Sequence, residues 1–208
     1  MRLGTLLLLA AALIPLRAAD LDQTLRGVEN RYNTAKTIQV NFVQTYQARG
    51  RKTTEKGVLF LRKPGRMRWQ YSSPEGKLYV SDGSTVWSYD PQDKRAEKSK
   101  LKETADMQAP LAFLLGRLNF HDDFGKFVSS PQGPDMKITA YPKSDKLPYT
   151  EVSFLVTPNF VIRQLSVMGQ DGSHMEYIFE DEKKDPLLTD ALFHFTPPAG
   201  VQVVDAGQ

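Results

Sequence analysis

The chain has 208 residues, no cysteine and a formal net charge of +3. The missing cysteine excludes a disulfide framework, a thiol nucleophile and a lipid-anchoring thiol. A small net charge spread along the chain argues against a nucleic-acid partner.

Residues 1–18 read as a secretory signal peptide. Arg2 is followed by an apolar run from Leu3 to Ile14, a break at Pro15 and small residues at Ala18 and Ala19. That run is too short to span a bilayer as a stable helix. Cleavage is expected after Ala18, within about one residue, and removing Arg2 and Arg17 lowers the formal charge from +3 to +1. What remains, 19–208, has the size of one domain with a sizeable core and is expected to be soluble.

Leu21, Leu25, Val28 and Tyr32 recur at spacings of four, three and four, which predicts an amphipathic helix over 20–36. From Ile38 the period changes to two, with Val40 and Phe42 alternating with Gln39 and Asn41. Strands are then expected near 54–63, 66–72, 77–81, 85–89, 135–142, 149–156, 160–168 and 173–180. Pro64-Gly65, Asp82-Gly83, Pro158-Asn159 and Asp171-Gly172 supply the turns. Short strands at this spacing predict an antiparallel meander in a barrel or sandwich.

Met67, Trp69 and Tyr71 alternate with Arg66, Arg68 and Gln70, giving one dry and one wet face. Asp82-Gly83 predicts a tight hairpin with positive φ at both residues, returning Trp87 and Tyr89 on one face of the next strand. Residues 58–61 are apolar on both faces, as when one side meets a core and the other a cavity or lid. An ordinary sheet core and a cavity wall both fit this stripe.

Residues 107–118 predict a short helix, with Pro110 in its first turn and Gly116 at its end, apolar nearly all round. It suits either a plug in the sheet or a lid over it. A further helix is expected from Pro186, capped by Asp185, with Leu187, Leu188 and Leu192 buried.

No phosphate-cradling loop, nucleophile elbow or helical zinc motif is present. His194 lies between two phenylalanines in an expected strand, His174 shares a strand face with Glu176, and His121-Asp122-Asp123 reads as a solvated loop before it reads as a metal site. Asp181-Glu182 beside Lys183-Lys184 reads as a solvated turn. The cations Arg62, Lys63, Arg66 and Arg68 flank a Pro-Gly turn beside the apolar strands. They form either a wet face or a latch that donates to the carbonyls ending a lid helix. No enzyme activity and no cofactor are expected.

These motifs together resemble the LolA family of periplasmic outer-membrane lipoprotein carriers. The resemblance runs through N-F-V-Q (41–44), K-P-G-R-M-R-W (63–69), V-S-D-G-S-T-V-W-S-Y-D-P (80–91), P-L-A-F-L-L-G (110–116) and F-H-F-T-P-P-A-G-V-Q-V-V-D (193–205). It implies an unclosed antiparallel β half-barrel, mainly β with short lid helices, around an apolar cavity for lipoprotein acyl chains. It implies Leu59, Leu61, Met67, Trp69 and Trp87 as cavity wall and Leu111, Phe113, Leu114 and Leu115 as lid. The family's latch arginine falls on Lys63, with Arg62 one residue earlier and facing the other way. It also implies acylated lipoproteins as cargo, an inner-membrane LolCDE-type ABC transporter and a LolB-type outer-membrane acceptor as partners, and a monomeric carrier in the periplasm. A sensor on the same half-barrel, like the RseB regulators, is the alternative, but it would need a second domain.

Overall fold

A computed structural model of the chain describes residues 16–101 and 118–206. Helix α1 (Leu16–Thr34) leads into β1 (Thr37–Ala48), β2 (Arg51–Arg62), β3 (Arg66–Ser73), β4 (Glu75–Asp82), β5 (Thr85–Asp90) and β6 (Arg95–Lys100). After residue 118 come α2 (Phe120–Asp123), β7 (Phe124–Gln132), β8 (Asp135–Pro142), β9 (Tyr149–Val156), β10 (Ile162–Gly169) and β11 (His174–Lys184). A 3-10 turn (Asp190–Phe193) and β12 (Gln202–Asp205) finish the chain.

The strands form one sheet in the order β12-β6-β5-β4-β3-β2-β1-β11-β10-β9-β8-β7. Two meanders meet where β1 pairs with β11, and the sheet ends on β12 and β7 without closing. Every neighbouring pair is antiparallel except β12 on β6.

Strict alternation assigns the two faces. Ile38 pairs with Leu61 and Leu61 with Met67, while Val40 pairs with Leu59 and Leu59 with Trp69. All six side chains therefore share one face. That inner face continues through Tyr177, Phe179, Leu165, Phe154, Val152 and Ile138, and Leu25, Val28 and Tyr32 of α1 join the same buried core. Gly57, across from Phe42 on one side and Tyr71 on the other, lies against the β3 backbone. A Cβ there would lie 2.1 Å from the Gln70 carbonyl oxygen, so only hydrogen fits.

Several expectations change. Helix α1 begins at Leu16, upstream of the expected cleavage point, and ends at Thr34. Three strands went unforeseen. Arg95–Lys100 buries only Ala96, Phe124–Gln132 is an exposed edge, and Gln202–Asp205 spans one pairing, so none shows an apolar alternation. No α-helix starts at Pro186, and Leu187 is fully exposed. The Asp185 carboxylate accepts instead from the Lys36 and Thr37 amides, and the residue buried in the turn that follows is Phe193. At the β4–β5 hairpin only Gly83 has positive φ, and Asp82 accepts from the Ser84 and Thr85 amides, a side-chain-closed turn. The expected helix at 107–118 lies, except for Leu118, outside the described residues.

Candidate apolar ligand site

The inner face changes character along the strands. At the end nearest the Lys63 turn it is aliphatic and sulfur-bearing, with Ile38, Leu61 and Met67 beside Val40 and Leu59. An aromatic layer follows, in which Trp69 lies 4.7 Å from Phe42 and 5.6 Å from Tyr177, and Tyr71 lies 5.2 Å from Phe42. Polar groups come last. The Tyr71 hydroxyl donates to Gln44 Oε1 at 3.3 Å, and Lys77 Nζ donates to Glu55 Oε1 at 2.6 Å while sitting 4.8 Å from the Tyr71 ring centre.

Leu59, Leu61, Met67 and Trp69 are at most 4% exposed. The cleft between Tyr32 of α1 and Ile38, Leu59, Leu61 and Phe179 has a volume of about 10 Å³, room for a single water. Between α1 and this part of the wall the described side chains therefore leave no room for an acyl chain unless that packing parts. A larger groove of about 430 Å³ lies beside the first turns of α1, floored by Met136, Val156 and Phe160 and rimmed by Asp20, Thr24 and Asp135.

Helix α1 is held down by polar groups at its C-terminal end. The Tyr32 hydroxyl donates to Glu182 Oε2 at 2.7 Å and accepts from the Ile162 amide at 3.0 Å, and Arg31 Nη2 reaches Glu182 Oε1 at 2.6 Å. Burial, then the Glu182 charge, pushes the Tyr32 phenol far above its ordinary range, so it stays a donor. Glu182 is thus no solvated turn residue, since its side chain is only 9% exposed. A tyrosine closing an apolar helical stripe was the available signal, because its buried hydroxyl demands a partner. Asn33 bonds both the amide and the carbonyl of Leu118 at 2.7 Å, which fixes where the chain returns to α1.

The basic cluster splits between the two faces. Lys63 Nζ donates to the Tyr32 carbonyl at 2.7 Å, in the last turn of α1, where the helix dipole favours a cation. Burial pushes its ammonium pKa down. Arg62 points to the outer face, where it bonds Asp190 and the Leu188 carbonyl and lies 5.4 Å from the Phe193 ring centre. Arg66 joins Asp190 at 2.9 Å and Arg68 the Leu192 carbonyl at 3.3 Å. Three arginines therefore clamp the C-terminal segment across the back of the sheet, and Arg62 is not an inner-face latch.

Residues 33–196 match the family model described as Outer membrane lipoprotein carrier protein LolA. The chain belongs to the LolA family. Proteins named outer-membrane lipoprotein carrier protein share 31% identity over 210 residues in Sodalis glossinidius, covering 100% of this chain and 98% of that one. The relative from Nitrosomonas europaea shares 28% over 205 residues, with 98% of each chain covered. In fold, the crystal structure of Mycobacterium tuberculosis lipoprotein LppX superposes with a TM-score of 0.51 at 10% identity, covering 82% of this chain and 98% of that one. A likeness at that identity speaks for the fold alone.

Of the residues expected as the LolA cavity wall, Leu59, Leu61, Met67 and Trp69 come together on the inner face. Trp87 does not. It pairs with Val80, which pairs with Arg68, so it stands on the outer face with its ring 5.7 Å from Phe195 and Lys98 5.8 Å from its centre. The sequence pattern W-S-Y marks a strand face without saying which side that face takes. Leu111, Phe113, Leu114 and Leu115 lie outside the described residues. His121 lies in α2 with its ring 5.2 Å from that of Phe127, and the Ser166 hydroxyl lies 2.6 Å from His174 Nε2 on the outer face. Groups of three or more His, Cys, Asp or Glu placed to hold a metal are absent among the described residues.

Proposed function

We propose that this protein is a periplasmic carrier that shields the acyl chains of lipoproteins between the inner and outer membranes. The observation that carries the reading is the apolar inner face built from Leu59, Leu61, Met67 and Trp69 in a chain of the LolA family. Burial of an acyl chain is worth about 0.8 kcal/mol per methylene, so an acylated protein needs such a face to cross water. The packing of Tyr32 of α1 over Ile38, Leu59 and Leu61 competes with cargo and lowers its apparent affinity, which keeps the cargo releasable. In this reading Leu111, Phe113, Leu114 and Leu115 complete the cover, a LolCDE-type transporter loads the carrier, a LolB-type acceptor unloads it, and the carrier acts as a monomer.

The test is native mass spectrometry of protein from the periplasm, with an acylated lipoprotein or its cysteine-less form co-expressed. A stoichiometric complex that requires the acyl chains and disappears in Trp69→Glu is expected. Capture of free lipid alone would replace this reading by a lipid sensor on the same scaffold.

A further inference from the structure

The polar end of the inner face does not follow from packing. Glu55 precedes Gly57 and Leu59 by steps of two, and Lys77 precedes Tyr79 in the same way, so both charges stand on the face that carries Trp69. Their ion pair bridges from β2 to β4 beside the Tyr71 ring of β3, with the Lys77 and Glu55 side chains 28% and 20% exposed. A partly buried ion pair recovers little more than its desolvation cost, and apolar side chains in its place are often as stable. The core therefore has no need of it.

We infer that Gln44, Glu55, Tyr71 and Lys77 form the seat for the ester and amide groups that join the acyl chains to the cargo protein. This inference rests on the carrier reading. Ester carbonyls only accept hydrogen bonds: the Lys77 ammonium has three N–H donors, one of them on Glu55, and the Tyr71 hydroxyl can donate to an ester by exchanging its 3.3 Å bond to Gln44. Amide N–H groups donate, and Glu55 and Gln44 accept. Burial, then Tyr177 and Glu55, holds the Tyr71 phenol protonated well above its ordinary range, so it keeps its donor. The gradient of the face then sets the direction of the cargo. Chain ends lie toward Leu61 and Met67, and the linkage sits one aromatic layer away, past Trp69 and Phe42. The attached peptide leaves toward the exposed β1–β2 hairpin tip, which carries Arg49, Arg51 and Lys52.

Two probes separate the polar layer from the wall. Diphenylhexatriene, a hydrocarbon fluorophore, reports the apolar face alone, and a synthetic dipalmitoyl-glycerylcysteine peptide that displaces it reports both. In Lys77→Met and in Tyr71→Phe, which keeps the ring under Lys77, lipopeptide affinity is expected to fall about tenfold relative to diphenylhexatriene affinity, as for a lost charged or buried hydrogen bond. Equal weakening of both probes, or no change in either, overturns the inference. Failure of the unmodified protein to bind either probe strikes the carrier reading itself.

Discussion

The Lys63 ammonium lies 2.7 Å from the carbonyl oxygen of Tyr32, so the end of β2 is tied to the last turn of α1. The tie places a cation where the helix leaves its carbonyls unpaired, and the neighbouring Lys63 amide bonds the Lys36 carbonyl at 3.0 Å. Lys63→Met keeps the aliphatic stem and removes the donor. We expect a loss of about 1 kcal/mol and faster amide exchange across the last turn of α1, read by hydrogen-deuterium exchange. Unchanged exchange there would show that the tie carries no weight.

Tyr32→Phe tests the neighbouring network. It leaves the Ile162 amide without its acceptor and Glu182 without one of its donors. Urea unfolding should show a loss of about 1–3 kcal/mol, the cost of a buried group left unsatisfied.

Gly57→Ala should be worse than its size suggests. The new methyl would meet the Gln70 carbonyl oxygen at 2.1 Å and Tyr71 Cα at 2.8 Å, and both are backbone atoms in a paired strand. A loss of about 3 kcal/mol is expected, measured as a lower urea midpoint with the slope preserved. The β2–β3 pairing is what would yield.

Asp185 gives the protein a pH dependence with a defined sign. Its bond from the Lys36 amide lowers its carboxyl pKa, with further help from the Thr37 amide. A carboxylate depressed in the folded state stabilises above its unfolded pKa of about 3.9, and that contribution disappears as pH falls through the folded value. Melting temperatures of the unmodified protein and Asp185→Ala should therefore differ at pH 6, begin to approach each other below about pH 4, and coincide only once pH is below the depressed folded value. A gap that persists at low pH would assign the effect to packing.

Arg62→Ala should release the segment that crosses the outer face, because Arg62 contacts Asp190, the Leu188 carbonyl and the Phe193 ring together. Limited proteolysis should cut residues 186–195 faster, while hydrogen exchange at inner-face strand amides such as those of Leu59 and Trp69 stays constant.

Much of this was legible in the chain. Period-two alternation from Ile38 and at Met67, Trp69 and Tyr71 fixes which side chains share a face, because a strand has only two. Spacings of three and four placed Leu25, Val28 and Tyr32 on one side of a helix. The strands that went unseen, β6, β7 and β12, lie at or next to an edge of the sheet and carry little apolar alternation to read.

The sequence by itself determined helix α1, the strands with an apolar alternation, the dry stripe and the family, because these depend on local periodicity and on motif order. Only the tertiary structure decided that Trp87 turns to the outer face while Trp69 turns inward, that Glu182 is buried against Tyr32, and that Lys63 and Arg62 serve opposite sides of the sheet. The reason is that a face becomes inner or outer, and a charge paired or solvated, only through strand register and through partners 31 to 150 residues away, neither of which local spacing encodes.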